Sequence, residues 1–315
     1  MQLHRPFRFG VVTHNTSPSL DALVARARLA ERLGYSTFLI PDHLGDQFDT
    51  PLALALVAQA TSTLRIGSLV FANDFRHPAL LAKTAATLDV LSGGRFELGL
   101  GAGWMQSEYE RIGLAFDPPG IRIERMVEAL QIITGLFSDE PMTFSGVYYQ
   151  VAGMRGSPSP LQRPHPPILL GGSGKRILSV AAREADIVNI IPRGMVEPGS
   201  AQRIDLSDAG ATSLAQKVAW IREAAGERFQ SLELNLFILD MALNDRQGDG
   251  ADRLAHRFAL SREQVLKSPH LLVGTVNHIV DRLQETRAKY GISYLVIFDE
   301  YIEQFAPIVA QLTNQ

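Results

Sequence analysis

Short β-rich runs alternate with longer stretches of helical period from one end of this 315-residue chain to the other, which specifies a parallel α/β fold. Strands are expected at 7–13, 37–42, 65–71, 95–100, 168–171, 187–191, 232–239 and 294–298. Helices are expected at 20–33, 51–60, 78–91, 121–137, 175–185, 214–228, 276–290 and 301–312. In the first helix Leu20, Leu23, Val24, Ala27, Ala30 and Leu33 recur at intervals of three and four, and Gly34 follows as its stop. Eight strands, each followed by a helix, predict a closed (β/α)8 TIM barrel. An open doubly wound sheet is the alternative, since parallel strands alone do not prove closure.

The length suits one such barrel, so a single domain over 1–315 is expected. Three segments exceed ordinary loop lengths and read as insertions: about 141–167, 192–213 and 240–274. All three are expected to leave C-terminal strand ends, where a barrel builds its active site, and to act there as lids or pocket walls. Their mixed residues, including Tyr148, Tyr149, Arg155, Arg193 and His270, carry no recognisable ligand code, and the substrate stays unassigned.

Composition excludes several classes of function. A formal charge of -3 and the absence of any Lys/Arg run leave no field for a nucleic-acid backbone. With no cysteine there are no disulfides, thiolate ligands or cysteine nucleophiles. No apolar run has the roughly 18 residues of a membrane span, and the first residues lack the apolar stretch of an export signal, so a cytoplasmic location is expected.

Chemistry-bearing residues gather at strand ends. The second strand opens into Pro41-Asp42-His43; the bland reading is a capping Asp42 and a half-buried His43, and a metal site lacks a third ligand nearby. The fourth runs into Gly99-Leu100-Gly101-Ala102-Gly103-Trp104, with Glu108 a few residues on. Crowding in a barrel strand accounts for one or two of these glycines but not the run, which points to a flat ligand lying close to the backbone. The fifth ends in Gly171-Gly172-Ser173-Gly174-Lys175-Arg176 immediately before a helix. Backbone N–H groups, a helix N-terminus and two cations compose a phosphate nest, against the alternative of a flexible turn.

Taken in order and spacing, these motifs resemble the bacterial luciferase-like monooxygenase family, and within it the coenzyme F420-dependent oxidoreductases. The resemblance also uses Ile66-Gly67-Ser68, His77-Pro78, Leu91-Ser92-Gly93-Gly94-Arg95-Phe96 and Ala185-Asp186, and it covers nearly the whole chain. It implies a barrel that holds an isoalloxazine-type ring at the strand C-termini and the cofactor phosphate on the glycine turn. It further implies a bulge with a non-prolyl cis peptide in the third strand, which spacing from Gly67 carries onto Leu69-Val70. In the sugar-phosphate dehydrogenases of the family, a histidine after the second strand and a glutamate after the fourth form the proton-transfer pair. His43 matches the histidine, whereas Trp104 occupies the glutamate position, so that substrate and that complete mechanism do not transfer.

The resemblance therefore makes His43 the catalytic residue. It assigns the cofactor to Asp42, Leu69, Val70, Gly101, Gly103, Trp104, Gly171, Gly172, Ser173, Gly174, Lys175 and Arg176, with no metal. The expected activity is hydride transfer between F420 and a small-molecule substrate by a homodimer without nucleic-acid or membrane partners. An FMN-dependent monooxygenase using molecular oxygen is the main rival. A barrel that binds cofactor without turnover is another, kept open by the missing glutamate, and an Asp42-His43 metallohydrolase is a third.

Overall fold

A computed structural model describes residues 5–13, 19–193, 207–243 and 249–313. Its N-terminal part runs β1 (Arg8–Val12), α1 (Leu20–Arg32), β2 (Thr37–Ile40), α2 (Thr50–Ala60), β3 (Arg65–Ser68), β4 (Phe71–Ala72) and α3 (Pro78–Leu91). There follow β5 (Phe96–Gly101), α4 (Gln106–Arg111), α5 (Pro119–Leu136), β6 (Met142–Ser145), β7 (Gln150–Met154), β8 (Ile168–Gly172), α6 (Lys175–Glu184) and β9 (Ile187–Ile190). The remainder is α7 (Ala211–Ala225), β10 (Glu233–Phe237), β11 (Asp240–Leu243), α8 (Asp249–Phe258) and α9 (Arg262–Lys267). Then come β12 (Leu271–Gly274), α10 (Val276–Tyr290), β13 (Ile292–Phe298) and α11 (Ile302–Leu312). The main sheet has the order β3-β2-β1-β13-β10-β9-β8-β5-β4 with β3 also paired to β5, the order of a (β/α)8 barrel.

All eight expected strands are present, and the third is divided. β3 pairs with β2 and β5, β4 resumes the pairing with β5 at Phe71 opposite Leu100, and Leu69-Val70 lies between the two pieces. The Leu69-Val70 peptide is cis, at the position the family resemblance implies.

The chain divides into two compact units. One comprises Met1–Val12, Leu29–Ser36 and Leu170–Gln315; the other comprises Thr13–Arg28 and Thr37–Leu169. Within the first, β13 lies between β1 and β10, and β10 continues to β9, all parallel. Phe9, Val11, Leu295, Ile297, Phe305 and Ile308 form part of its dry core, each at most 1% exposed. Buried amides are paired within it: Asn189 donates to Asn235, whose own Nδ2 donates to the Tyr294 carbonyl at 3.3 Å. The expected insertion after the seventh strand folds as a parallel β11–β12 pair with α8 and α9 between them.

In the second unit, prolines start helices and polar side chains cap them. Asp49 accepts from Leu52 N–H at 3.2 Å ahead of Pro51 in α2, and His77 Nδ1 accepts from Ala79 N–H at 3.2 Å ahead of α3. The insertion about 141–167 corrects one expectation. It leaves the end of α5 and leads into the start of β8, so it does not spring from a C-terminal strand end. Its β6–β7 hairpin nevertheless runs back along α5. The Glu128 carboxylate accepts the N–H groups of Val147, Tyr148 and Tyr149 at 2.7, 2.9 and 3.2 Å, and Tyr149 meets Asn73 beyond β4.

Candidate active site at the ends of β2, β4 and β5

Asp42 and His43 follow directly from β2, and the fold gives them different tasks. Asp42 is 6% exposed, and both of its oxygens are engaged. Arg76 forks onto them at 2.5 and 2.9 Å, and Ala72 N–H donates at 3.1 Å. A buried carboxylate needs such complete pairing to stay charged. Asp42 thereby ties the end of β2 to the segment beyond β4, 30 and 34 residues on, rather than capping the turn that follows it.

His43 is held from one side only. Its Nδ1 lies 3.1 Å from Glu108 Oε2, while Glu108 Oε1 accepts Leu44 N–H at 2.6 Å. The Glu108 side chain is 5% exposed and the His43 side chain 29%. Nε2 has no hydrogen-bond partner among the described residues. Trp104 stands edge-on to the imidazole, with ring centroids 5.8 Å apart and planes at 84°. Glu108, a few residues beyond Trp104 in sequence, is turned back onto the histidine by α4.

The glycine run is explained by the chain's own packing, a correction to the expectation that it exceeds what a crowded strand requires. A Cβ on Gly99 would overlap the Ser68 carbonyl, one on Gly101 would come within 2.5 Å of Val70 Cγ2, and one on Gly103 would overlap the Tyr109 hydroxyl. Gly103 also has a φ of +78°, which only glycine adopts without strain. Arg122 then fixes this turn, donating to the carbonyls of Ala102 at 3.1 Å, Gly103 and Asp117. Gly99 and Gly101 thus let the third and fourth strands approach each other, and Gly103 makes room for Tyr109 of α4.

Beyond β4 a polar network connects the strand end to α4, α5 and the hairpin. Asp74 accepts Tyr109 O–H at 3.1 Å, Arg125 at 3.0 Å and Asn73 Nδ2 at 3.0 Å. Tyr149 joins it through Asn73 at 3.3 Å and packs edge-on against His77 at 5.5 Å. Burial is the first cause, and the neighbouring Asp74 the next, of the upward shift of the Tyr109 phenol, which therefore stays neutral and donates.

In the other unit, β8 ends at Gly172 and α6 begins at Lys175, with Gly174 as N-cap and no side-chain oxygen capping the helix. The turn is half-buried, and nothing lies within 4 Å of a Cβ built on Gly174. Lys175 and Arg176 place positive charge at the positive end of the helix dipole, a local conflict of about 0.3–1 kcal/mol each that a bound anion relieves. Lys175 reaches Glu223 of α7 at 3.3 Å, a solvent-exposed pair of little strength. Gly171 is needed against Asn189, and a Cβ on Gly172 would come 2.7 Å from Ile177 Cγ2.

Several residues expected to line a pocket do other work. His270 is 1% exposed, with Nδ1 against the Phe237 carbonyl at 2.8 Å. Burial pushes it down to about 4, so it is a neutral structural histidine. Arg155 donates to the Asp139 carbonyl at 2.7 Å on the surface. Arg193 N–H donates to Asp208, which also holds the buried Lys217 at 2.5 Å. Most of the 192–213 insertion lies outside the described residues. Among the described residues no His/Asp/Glu cluster is placed to hold a metal, and no helix is long and apolar enough to cross a membrane.

The chain matches the luciferase-like monooxygenase family over residues 3–294. It is similar to the F420-dependent hydroxymycolic acid dehydrogenase of Mycobacterium tuberculosis, 33% identical over 185 residues that cover 56% of this chain and 51% of that protein. It is also similar to the FMNH2-dependent dimethylsulfone monooxygenase of Pseudomonas putida, 28% identical over 181 residues that cover 56% and 50%. Among solved structures, the coenzyme F420-dependent tetrahydromethanopterin reductase of Methanopyrus kandleri gives a TM-score of 0.76 at 18% identity. The match covers 98% of this chain and 100% of that one, a likeness of fold.

Proposed function

Because the chain belongs to the luciferase-like monooxygenase family, we propose that it is a coenzyme F420-dependent oxidoreductase that moves a hydride between the deazaflavin and a small organic substrate. The observation that carries this reading is His43: one nitrogen is held by the buried Glu108, and the other is free for a proton at a strand end. The ring is assigned to Leu69, Val70 and Trp104, and the phosphate to the Gly171–Arg176 turn. Support for the turn comes from the uncapped N-terminus of α6 and the open space at Gly174. When bound, the deazaflavin supplies hydride chemistry and reacts poorly with oxygen. The protein contributes orientation and a proton site at His43 Nε2. Trp104, 43% exposed beside that imidazole, gives a substrate an apolar wall.

A second reading, an FMN-dependent monooxygenase, is favoured by the similarity to the dimethylsulfone enzyme. Titration with each cofactor separates them. Oxidised F420 is expected to bind at least about tenfold more tightly than FMN, roughly 1.4 kcal/mol, because Lys175 and Arg176 offer its anionic tail a path that FMN does not need. Equal or tighter FMN binding, with oxygen consumption on supplying reduced FMN, decides for the monooxygenase. The same reading makes the enzyme a cytoplasmic homodimer. The dimer is supported by α2, which carries no charged residue and exposes Leu52 and Leu56 at 68% and 44%.

A further inference from the structure

We propose that Glu108 is the positioning residue that fixes His43 in its Nδ1–H tautomer, so that Nε2 is the proton-accepting atom of this site. The inference rests on the reading of His43 as the proton-handling group, and it concerns a residue to which the family's histidine–glutamate pairing assigns no role here.

The geometry starts from a donor that cannot change. Leu44 N–H points at Glu108 Oε1 from 2.6 Å, which fixes which oxygen faces the backbone and which faces the imidazole. Oε2 is then left 3.1 Å from His43 Nδ1 on a side chain only 5% exposed. An ionised carboxylate only accepts hydrogen bonds, so the ring nitrogen that faces it must carry the hydrogen. Neutral His43 is thereby left with its lone pair on Nε2, the nitrogen without a partner among the described residues. When a substrate X–H group transfers its proton, the X–H bond breaks with its electron pair staying on X, and an Nε2–H bond forms. The resulting imidazolium lies against the Glu108 carboxylate, which stabilises it, as the orienting carboxylate does in a serine-protease triad. Trp104 packs on the ring by its edge and offers no competing acceptor.

Nitrogen-15 NMR of the imidazole side chains in the purified full-length chain tests this, with His43 assigned by the signal lost in His43→Gln. At a pH where the ring is neutral, wild-type His43 is expected to show a protonated Nδ1 and an unprotonated Nε2. In Glu108→Gln the amide oxygen must face the fixed Leu44 N–H, which turns the amide NH2 toward Nδ1 and forces the hydrogen onto Nε2. The side chain keeps its shape while the tautomer reverses. Glu108→Ala removes the anchor and is expected to yield a mixture dominated by the Nε2–H form that free imidazole favours. A wild-type Nε2–H tautomer overturns the proposal without need of any variant, as does an unchanged pattern in Glu108→Gln. Because the readout is a protonation pattern, its failure is distinguishable from that of the functional reading, which falls if His43→Ala leaves turnover intact.

Discussion

Replacing Gly174 by aspartate is expected to stabilise the protein while weakening its hold on a phosphate, and these opposite signs isolate the role of the turn. Gly174 is the N-cap of α6 at φ −97° and ψ 156°, a conformation open to every L-residue, and a Cβ there meets no atom within 4 Å. Aspartate is a better N-cap than glycine by a few tenths of a kcal/mol, and its charge at the helix N-terminus adds about 0.3–1 kcal/mol. Losing a glycine from the unfolded chain contributes about 0.4–1 kcal/mol more. A gain of about 1 kcal/mol or somewhat above raises the melting temperature by roughly 2–4 °C. A phosphate on the same N–H groups meets the opposite situation. A carboxylate about 5 Å away repels each of its charges by about 1–3 kcal/mol for effective dielectrics between water and a protein surface. The affinity for FMN should fall by about tenfold or more, while riboflavin, the same ring without the phosphate, should bind as before. F420 and its phosphate-free deazaflavin core form the matching pair. Fluorescence titration of the four ligands against wild type and Gly174→Asp gives the answer. Equal changes for ligands with and without phosphate, or no change at all, remove the phosphate from this turn. Gly172 is the poorer position to substitute, since its Cβ would press on Ile177 of α6 and disturb the helix itself.

His43→Ala should retain the fold and the bound ring but lower turnover by about 10²–10⁴, the range of a lost general acid or base; activity near wild type would make the residue structural. His270, held near 4 against an ordinary 6.5 by burial, is neutral in the fold, so between those pH values the unfolded chain binds the extra proton. Its contribution therefore falls as pH drops through that window, by about 3 kcal/mol in all. Denaturation of wild type and His270→Gln at pH 7 and 4.5 measures it, and an equal loss of stability in both would refute the assignment.

The fold was legible because its signals are local and periodic. The helix limits at Pro78–Leu91 and Val276–Tyr290 coincide with expectation, since a proline start in one and a glycine stop in the other are written in sequence. α4 escaped because its six residues, Gln106–Arg111, carry a single buried aromatic, Tyr109, and no apolar stripe. Residue type makes Val147, Tyr148 and Tyr149 β-prone, yet β6 ends at Ser145 and β7 begins at Gln150. Val147, Tyr148 and Tyr149 are held in the hairpin turn by Glu128, a carboxylate some twenty residues upstream that no short-range pattern reveals.

At the site, residue type was legible and direction was not. Asp42 and Arg76 are 34 positions apart, and only the fold shows that their pairing occupies the carboxylate. The glycines at 99, 101 and 103 suggested space for a ligand, but the directions their side chains would take are filled by Ser68, Val70 and Tyr109. The exchange of a glutamate for Trp104 has a related consequence. Counted along the sequence, it removes the acid partner of His43; in space, α4 returns a carboxylate to that imidazole from Glu108, four residues later. The acid thus lies behind the ring at Nδ1, and the indole edge is the group beside it. An acid placed behind the imidazole orients and stabilises it but delivers no proton of its own to a substrate at Nε2. On the proposed reading, His43 Nε2 is the one proton-handling atom of this cluster among the described residues, and substrates that require a separate protein acid to protonate a leaving group are poor candidates for it.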